Sequence, residues 1–317
     1  MLIHPNPDPV AIQLGVVSIH WYGLMYLAAF MQFVALGRVR LRQPHIAAIG
    51  WKKEDIDDML FYGVLGVVIG GRLGEVVFYQ LPYFLHHPLE IFAVWKGGMS
   101  FHGGLVGVML SMFLWSRKAK RALPDVYDFI APLVPLGYAF GRIGNFINHE
   151  LPGRIASADL PWAMMWPGLD QPVHPSPIYQ ALVDGIFLFI VLWLYARKSR
   201  PQLAVGAMFV MLYGCARFFT EFFRTPDFEI SLAGFSISGG QLYSLPMIIG
   251  GAILIFLAYN KTPSTAPSMQ ELPAKKNKKR SSRRWLKLLV RSKTKSPLLL
   301  CLTQANSMPS TSQCGAS

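Results

Sequence analysis

Three arginines and one histidine stand inside stretches that are otherwise apolar: Arg72, Arg142, Arg217 and His102. A guanidinium keeps its charge at any physiological pH and offers a planar fork of donors suited to phosphate oxygens. Histidine is the usual proton acceptor near neutral pH. Spacing gives each arginine a neighbour on its own helix face: Asn145 follows Arg142 by three residues, Glu75 follows Arg72 by three, and Glu221 follows Arg217 by four. Each acid can orient a guanidinium and offset part of its burial cost. Gly97, Gly98, Gly103 and Gly104 flank Ser100 and His102, which leaves space around the histidine and weakens a plain helix. Gly137, Gly141 and Gly144 lie beside Arg142 and Asn145, and the Gly137–Gly141 pair fits a close helix approach. Tyr22, Tyr213, Asn148, His174 and Tyr179 complete the polar inventory. No nucleophile stands out: Cys215 has apolar neighbours and reads as packing, and Ser100 near His102 lacks a third partner. Cys215, Cys301 and Cys314 have no metal-ligand spacing and form no disulfide framework, so neither metal nor cofactor is expected. This inventory suits a grip on the phosphate of a lipid head group, coupled to movement of a proton.

The elements that must position these groups are apolar runs of about 20 residues, long enough to cross a bilayer. Seven are predicted, at 19–37, 58–80, 97–116, 125–147, 176–196, 203–223 and 241–259, with 82–95 as an interfacial helix carrying His86, His87 and Glu90. The first span follows three prolines and no basic leader, and is expected to be retained. Of the 30 Lys and Arg, 24 fall on the side reached after spans 1, 3, 5 and 7. Only Lys96, Arg154 and Arg224 fall on the other side, which predicts the N-terminus outside and the C-terminus in the cytoplasm. That orientation brings His20–Tyr22, Arg72, His102, Arg142–Asn148, His174–Tyr179 and Tyr213–Glu221 to one depth, in the outer half of the membrane. An ion at such a depth is costly and so implies function.

Composition agrees with this class. Residues are 52% hydrophobic and only 15% charged, which excludes a disordered chain and disfavours an ordinary soluble domain. The net charge of +13 suggests nucleic acid at first sight, but residues 262–317 hold +10 of it, in runs such as Lys275–Arg280. That basic segment is read as a disordered cytoplasmic extension without function of its own, with attraction to anionic lipid as the alternative and no folded reader of nucleic acid beside it. The division expected is a membrane domain over 1–261 and a tail over 262–317.

Four motifs resemble the prolipoprotein diacylglyceryl transferase family: His20-Trp21-Tyr22-Gly23, Gly98-Met99-Ser100-Phe101-His102-Gly103-Gly104, Gly141-Arg142-Ile143-Gly144-Asn145-Phe146-Ile147-Asn148 and Glu221-Phe222-Phe223-Arg224-Thr225-Pro226-Asp227. The resemblance spans about residues 10–262 in motif order, and the third motif is the most specific. It implies an all-α bundle of seven transmembrane helices in the bacterial inner membrane, its site facing the periplasmic leaflet. It implies transfer of diacylglyceryl from phosphatidylglycerol to the lipobox cysteine of a prolipoprotein, releasing glycerol phosphate. The nucleophile then belongs to the substrate peptide, whose thiol has an ordinary pKa of about 8.5 and must ionise to attack.

The resemblance carries roles onto matching positions. Arg142 and Arg217 match head-group-binding arginines; Asn145, Gly153, Tyr22 and Tyr213 match functional positions; His102 matches a proposed base, and Glu150 would orient an arginine. Arg72 with Glu75 serves either as a structural pair or as a head-group contact, and His174 and Glu221 complete the expected substrate-binding set. The run His174-Pro175-Ser176-Pro177-Ile178-Tyr179 departs from the family pattern at its end: Gln180 stands where a Glu is expected. Trp162 and Trp166 are expected to seat the 148–175 loop at the interface. A transporter would put its charges at the midplane and show internal repeats, and neither is seen.

Overall fold

A computed structural model describes residues 1–260 apart from 227, 233 and 234, and the 262–317 tail lies outside the described residues. The described chain is mostly helical: α1 Trp21–Arg40, α2 Pro44–Ala48, α3 Lys53–Gly74, α4 Leu81–His86, α5 Phe101–Lys118, α6 Leu123–Ile130, α7 Val134–Ile147, α8 Ser176–Gln180, α9 Leu188–Tyr195, α10 Ala204–Thr220 and α11 Gly239–Asn260. Wide π turns at Glu75–Tyr79 and Ala181–Phe187 extend α3 and join α8 to α9. Three small sheets sit in the connections. β1 (Leu2–Ile3) pairs in parallel with β4 (Met164–Met165), which pairs antiparallel with β5 (Pro172–Val173). Hairpins join β2 (Val10–Leu14) to β3 (Val17–His20) and β6 (Glu229–Leu232) to β7 (Phe235–Ser238).

Among the described residues, four helices are long and apolar enough to cross a membrane: Trp21–Arg40, Lys53–Tyr79, Ser176–Tyr195 and Gly239–Asn260. Ala204–Thr220 is apolar but shorter. The other expected spans are trimmed or broken for local reasons. The 97–116 run becomes helical only at Phe101, because Gly97 and Gly98 take left-handed φ values of 82° and 73°. The 125–147 run is interrupted by a tight turn at Ala131–Leu133, where Pro132 and Pro135 withhold backbone donors. Residues 82–95 form α4 and two short 3₁₀ turns, at Pro88–Phe92 and Val94–Lys96, in place of one interfacial helix.

The molecule is apolar on its outside. Phe61, Leu65 and Ile69 of α3, Val106 and Leu110 of α5, and Ile249, Ile253 and Phe256 of α11 are all exposed. Helices separated by lipid-like surroundings gain little from apolar burial and must pack by close fit. The α3–α5 pair shows this: a Cβ on Gly107 would strike the backbone of Gly66 and Gly70, and one on Gly103 the backbone of Gly70 and Gly74. The two helices therefore touch backbone to backbone. Gly103, read from sequence as space around His102, is filled by α3.

A buried cluster of Ile56, Met59, Met112, Trp115, Val126 and Phe129 closes the opposite end of that pair, with Trp51 stacked on Phe129 at 4.2 Å. Helix α10 begins where Asp128 of α6 accepts the backbone N–H groups of Leu203 (2.6 Å) and Gly206 (2.7 Å). A carboxylate there caps the positive end of the helix and fixes the start of the element that carries Arg217.

Candidate active site

The expected groups lie at the C-terminal ends of α3, α7 and α10, at the N-terminal ends of α1 and α5, and in the loop between α7 and α8. On α7, Arg142 donates from Nη1 to Asn145 Oδ1 at 3.2 Å, and Asn145 Nδ2 donates to Glu150 Oε2 at 2.6 Å. Asn148 reaches the other oxygen of Glu150 at 3.3 Å. Glu150 thus acts on Arg142 through Asn145. The Arg142 guanidinium also lies over the Tyr138 ring, 4.6 Å from its centre, a cation–π seat that holds the fork's plane. The close approach on this helix is made by Gly144, whose absent Cβ leaves room for the Tyr22 ring of α1; nothing packs on Gly141. Tyr22 meets Tyr26 edge to face at 5.2 Å, and Tyr26 is within electrostatic reach of Arg142 and Glu150.

On α10, Arg217 Nη2 pairs with Glu221 Oε2 at 2.8 Å, and Arg224 Nη1 approaches Glu221 Oε1 at 3.5 Å. The Glu221 side chain is 0% exposed and lies against Gly240, where a Cβ would collide with its carboxylate. Arg217 Nη1 is buried and meets no acceptor among the described residues. A buried donor left dry is costly, and an anionic ligand oxygen would satisfy it. Tyr213, one turn earlier, meets Tyr138 edge to face at 5.8 Å. Arg142 and Arg217 both lie within electrostatic reach of Tyr138, Tyr213 and the wholly buried Asp184. Tyr138 joins the two helices, since its ring seats Arg142 at 4.6 Å and meets Tyr213, one turn before Arg217, at 5.8 Å, so both arginines border one locus.

Other expected residues stand apart from that locus. Arg72 is 6% exposed, and of its two expected alternatives the pair with Glu75 is not formed among the described residues. It donates to backbone carbonyls: Nε to Ile91 at 2.9 Å, Nη1 to Gly97 at 2.7 Å and Gly98 at 3.1 Å, and Nη2 to Glu90 at 2.6 Å. Phe84 stacks beneath it at 5.0 Å. With four donors engaged, Arg72 anchors the 88–98 segment that leads into α5. Glu75 accepts from Gln80 at 2.9 Å. His102 is exposed in the first turn of α5, just after the N-cap Ser100, whose Oγ accepts from Gly103 N at 3.1 Å. Its aromatic neighbours among the described residues are Phe101 and, at 6.3 Å, Tyr243 of α11. Tyr243 lies one turn beyond Gly240, so α11 links His102 to the Glu221 side of the cluster.

Gly153 is a packing position. Its N–H donates to His174 O at 3.0 Å, it bridges to Arg224, and a Cβ there would meet the carbonyls of His174 and Phe223. The backbone around it ties the loop to the motif that follows α10. Arg154 strengthens this tie through Arg224 O at 3.1 Å and Glu229 at 2.8 Å. His174 Nδ1 meets the Tyr179 hydroxyl at 3.2 Å, and burial pushes its pKa below 6.5. Trp166 is 3% exposed and donates to His149 O at 3.0 Å, so it forms the core of its loop, whereas Trp162 is exposed. Cys215 is exposed on the outside of α10 and not packed within it. Gln180 is buried, and its amide meets no partner among the described residues.

Asp184, Tyr138, Thr220 and Arg224 were not singled out from the sequence as site residues. Asp184 carried a usable signal, since it is a lone acid inside a predicted span. It has no cation three or four residues away, so its partners become visible only across helices.

The sequence model of the prolipoprotein diacylglyceryl transferase family matches residues 9–257. A phosphatidylglycerol–prolipoprotein diacylglyceryl transferase of Janthinobacterium sp. (strain Marseille) is 66% identical over 265 residues, covering 83% of this chain and all of the relative. Proteins of the same name from Cupriavidus necator and Burkholderia thailandensis are 55% and 50% identical, covering 84% and 82% of this chain and 98% of each relative. With two arginines converging on α7 and α10 and the match running through both helices, the chain belongs to the prolipoprotein diacylglyceryl transferase family.

Proposed function

We propose that this protein transfers the diacylglyceryl group of phosphatidylglycerol to the thiol of a prolipoprotein lipobox cysteine, the first step of lipoprotein maturation. The observation that carries the chemistry is that Tyr138 joins the helices of Arg142 and Arg217, with a buried Arg217 donor meeting no acceptor among the described residues. In this reading the two forks hold the phosphodiester. The substrate thiolate attacks the glyceryl carbon, a C–S bond forms, and the C–O bond breaks with its electron pair leaving on glycerol phosphate. The arginines stabilise the added charge on that leaving group. The thiol proton passes to His102 and on to solvent or to the departing phosphate. Asn145 and Glu150 orient Arg142, Glu221 orients Arg217, Tyr22 and Tyr213 wall the site, and Gly153 and His174 shape the loop above it. Arg72 positions the segment before His102 by its carbonyl grip, and no direct head-group contact is assigned to it.

The same reading completes the membrane assignment. All seven apolar segments span the inner membrane, the shorter ones where the bundle is broken, with the N-terminus periplasmic and the site at the periplasmic leaflet. The basic 262–317 segment is a cytoplasmic tail. Neither nucleic acid nor a cofactor takes part.

The test is release of glycerol phosphate by the purified chain supplied with phosphatidylglycerol and a lipobox peptide. Release is expected with the cysteine peptide and not with its serine counterpart. Release independent of the thiol, or none from folded protein, overturns the assignment.

A further inference from the structure

We propose that Asp184 is a positioning residue for this transfer, one carboxylate that holds the two arginine-bearing helices in register around a single phosphate. The proposal deepens the reading above and rests on it. Asp184 is 0% exposed within a helix apolar enough to cross a membrane, where an ionisable side chain points to function. It stands in the π turn Ala181–Phe187, a widened geometry common at functional sites. The next residue, Gly185, lies so close to α7 that a Cβ would strike Ala139, which presses this turn against the helix of Arg142.

From there the carboxylate reaches each arginine through one intermediary. Toward α7 it accepts from the Tyr138 hydroxyl at 3.4 Å, and the Tyr138 ring is the seat of the Arg142 guanidinium at 4.6 Å. Toward α10 it accepts from Thr220 Oγ1 at 3.3 and 3.2 Å. That hydroxyl also lies 3.3 Å from Arg217 O, and the following residue, Glu221, holds Arg217 Nη2 at 2.8 Å. Both arginines are among the charges that act on Asp184. An amide at 184 would keep the shape but lose the counter-charge and one of two acceptor oxygens. Misplacing a charge clamp by even about 1 Å can cost on the order of 10²-fold in rate.

The experiment compares Asp184→Asn, Tyr138→Phe, Thr220→Val and the double variant Asp184→Asn/Tyr138→Phe, as full chains in lipid nanodiscs. Each is measured for kcat, for KM of lipid and of peptide, for thermal melting, and for calorimetric binding of a short-chain phosphatidylglycerol. Asp184→Asn is expected to lower kcat at least tenfold and weaken lipid binding severalfold, with peptide KM and melting unchanged. The double variant is expected to be no worse than Asp184→Asn alone, because both act through one path. Normal kcat and lipid binding in Asp184→Asn overturn the proposal, as do losses that track melting and multiply in the double variant. Should Asp184→Asn fail to fold, folded Tyr138→Phe and Thr220→Val must each lose kcat and lipid affinity, and normal values in both overturn it. Failure of the functional reading looks different: the unaltered chain itself then binds no phosphatidylglycerol and releases no glycerol phosphate.

Discussion

Arg142 shows how much of the site rests on donor geometry. Its fork is fixed on two sides, by Asn145 at 3.2 Å and by the Tyr138 ring at 4.6 Å. A lysine would keep the charge but lose the plane, the stacking and the paired donors. Arg142→Lys is therefore expected to lose about 10²–10³ in kcat, the scale of removing a charge-stabilising donor. The loss should appear in head-group release with melting unchanged. Near-normal turnover in the lysine variant removes the clamp. His102→Gln should slow transfer by about 10²–10⁴ if the imidazole takes the thiol proton, and a normal rate assigns that proton to another group or to water. The residue types and their spacing were legible in the sequence, as the Arg142–Asn145 and Arg217–Glu221 contacts show. The partners of Arg72 were not legible, because they are backbone carbonyls 18–26 residues away and a carbonyl leaves no mark in a sequence.

At the scale of elements, the glycines of α3 and α5 do more than make room. Gly107 lies against the backbone of Gly66 and Gly70, so Gly107→Leu must push the helices apart. Overpacking of this kind typically costs about 1–3 kcal/mol. The expected result is a lower melting temperature and reduced activity, although residue 107 touches no site group; unchanged melting contradicts the backbone contact. The N-terminal strand is held differently. His4 accepts from Asn6 N at 3.0 Å through Nδ1 and meets Phe146 O at 3.1 Å through Nε2, which requires the neutral ring with its proton on Nε2. Burial, and then His149, hold its pKa below 6.5. Below 6.5 the undocked strand binds a proton that the docked strand refuses, so docking is full above that pH and is lost as pH falls. The protection of the residue 2–6 amides, measured relative to the intrinsic exchange rate at each pH, should fall from pH 7.5 to pH 5, and His4→Ala should flatten that dependence. A flat profile in the unaltered chain contradicts the assignment.

Many apolar side chains of the described residues face outward, among them Phe61, Leu65 and Ile69 of α3, while charged groups such as Arg72, Asp184 and Glu221 are buried. With 24 of 30 basic residues predicted on one side, a fluorescent protein fused after residue 260 should mature in the cytoplasm. A phosphatase inserted in the 148–175 loop should be active outside. The opposite pattern contradicts the orientation and moves the site to the wrong leaflet. Sequence alone determined the class of molecule, the family, and which polar side chains stand within apolar stretches, because hydropathy, charge bias and short motifs are local and additive along a chain. Only the tertiary structure decided that Arg142 and Arg217 share a locus while Arg72 serves the backbone, that Gly103 is packed, and that Asp184 sits between two helices. Those facts depend on which faces of separate helices meet, and that is set by backbone approach and side-chain fit between segments many residues apart.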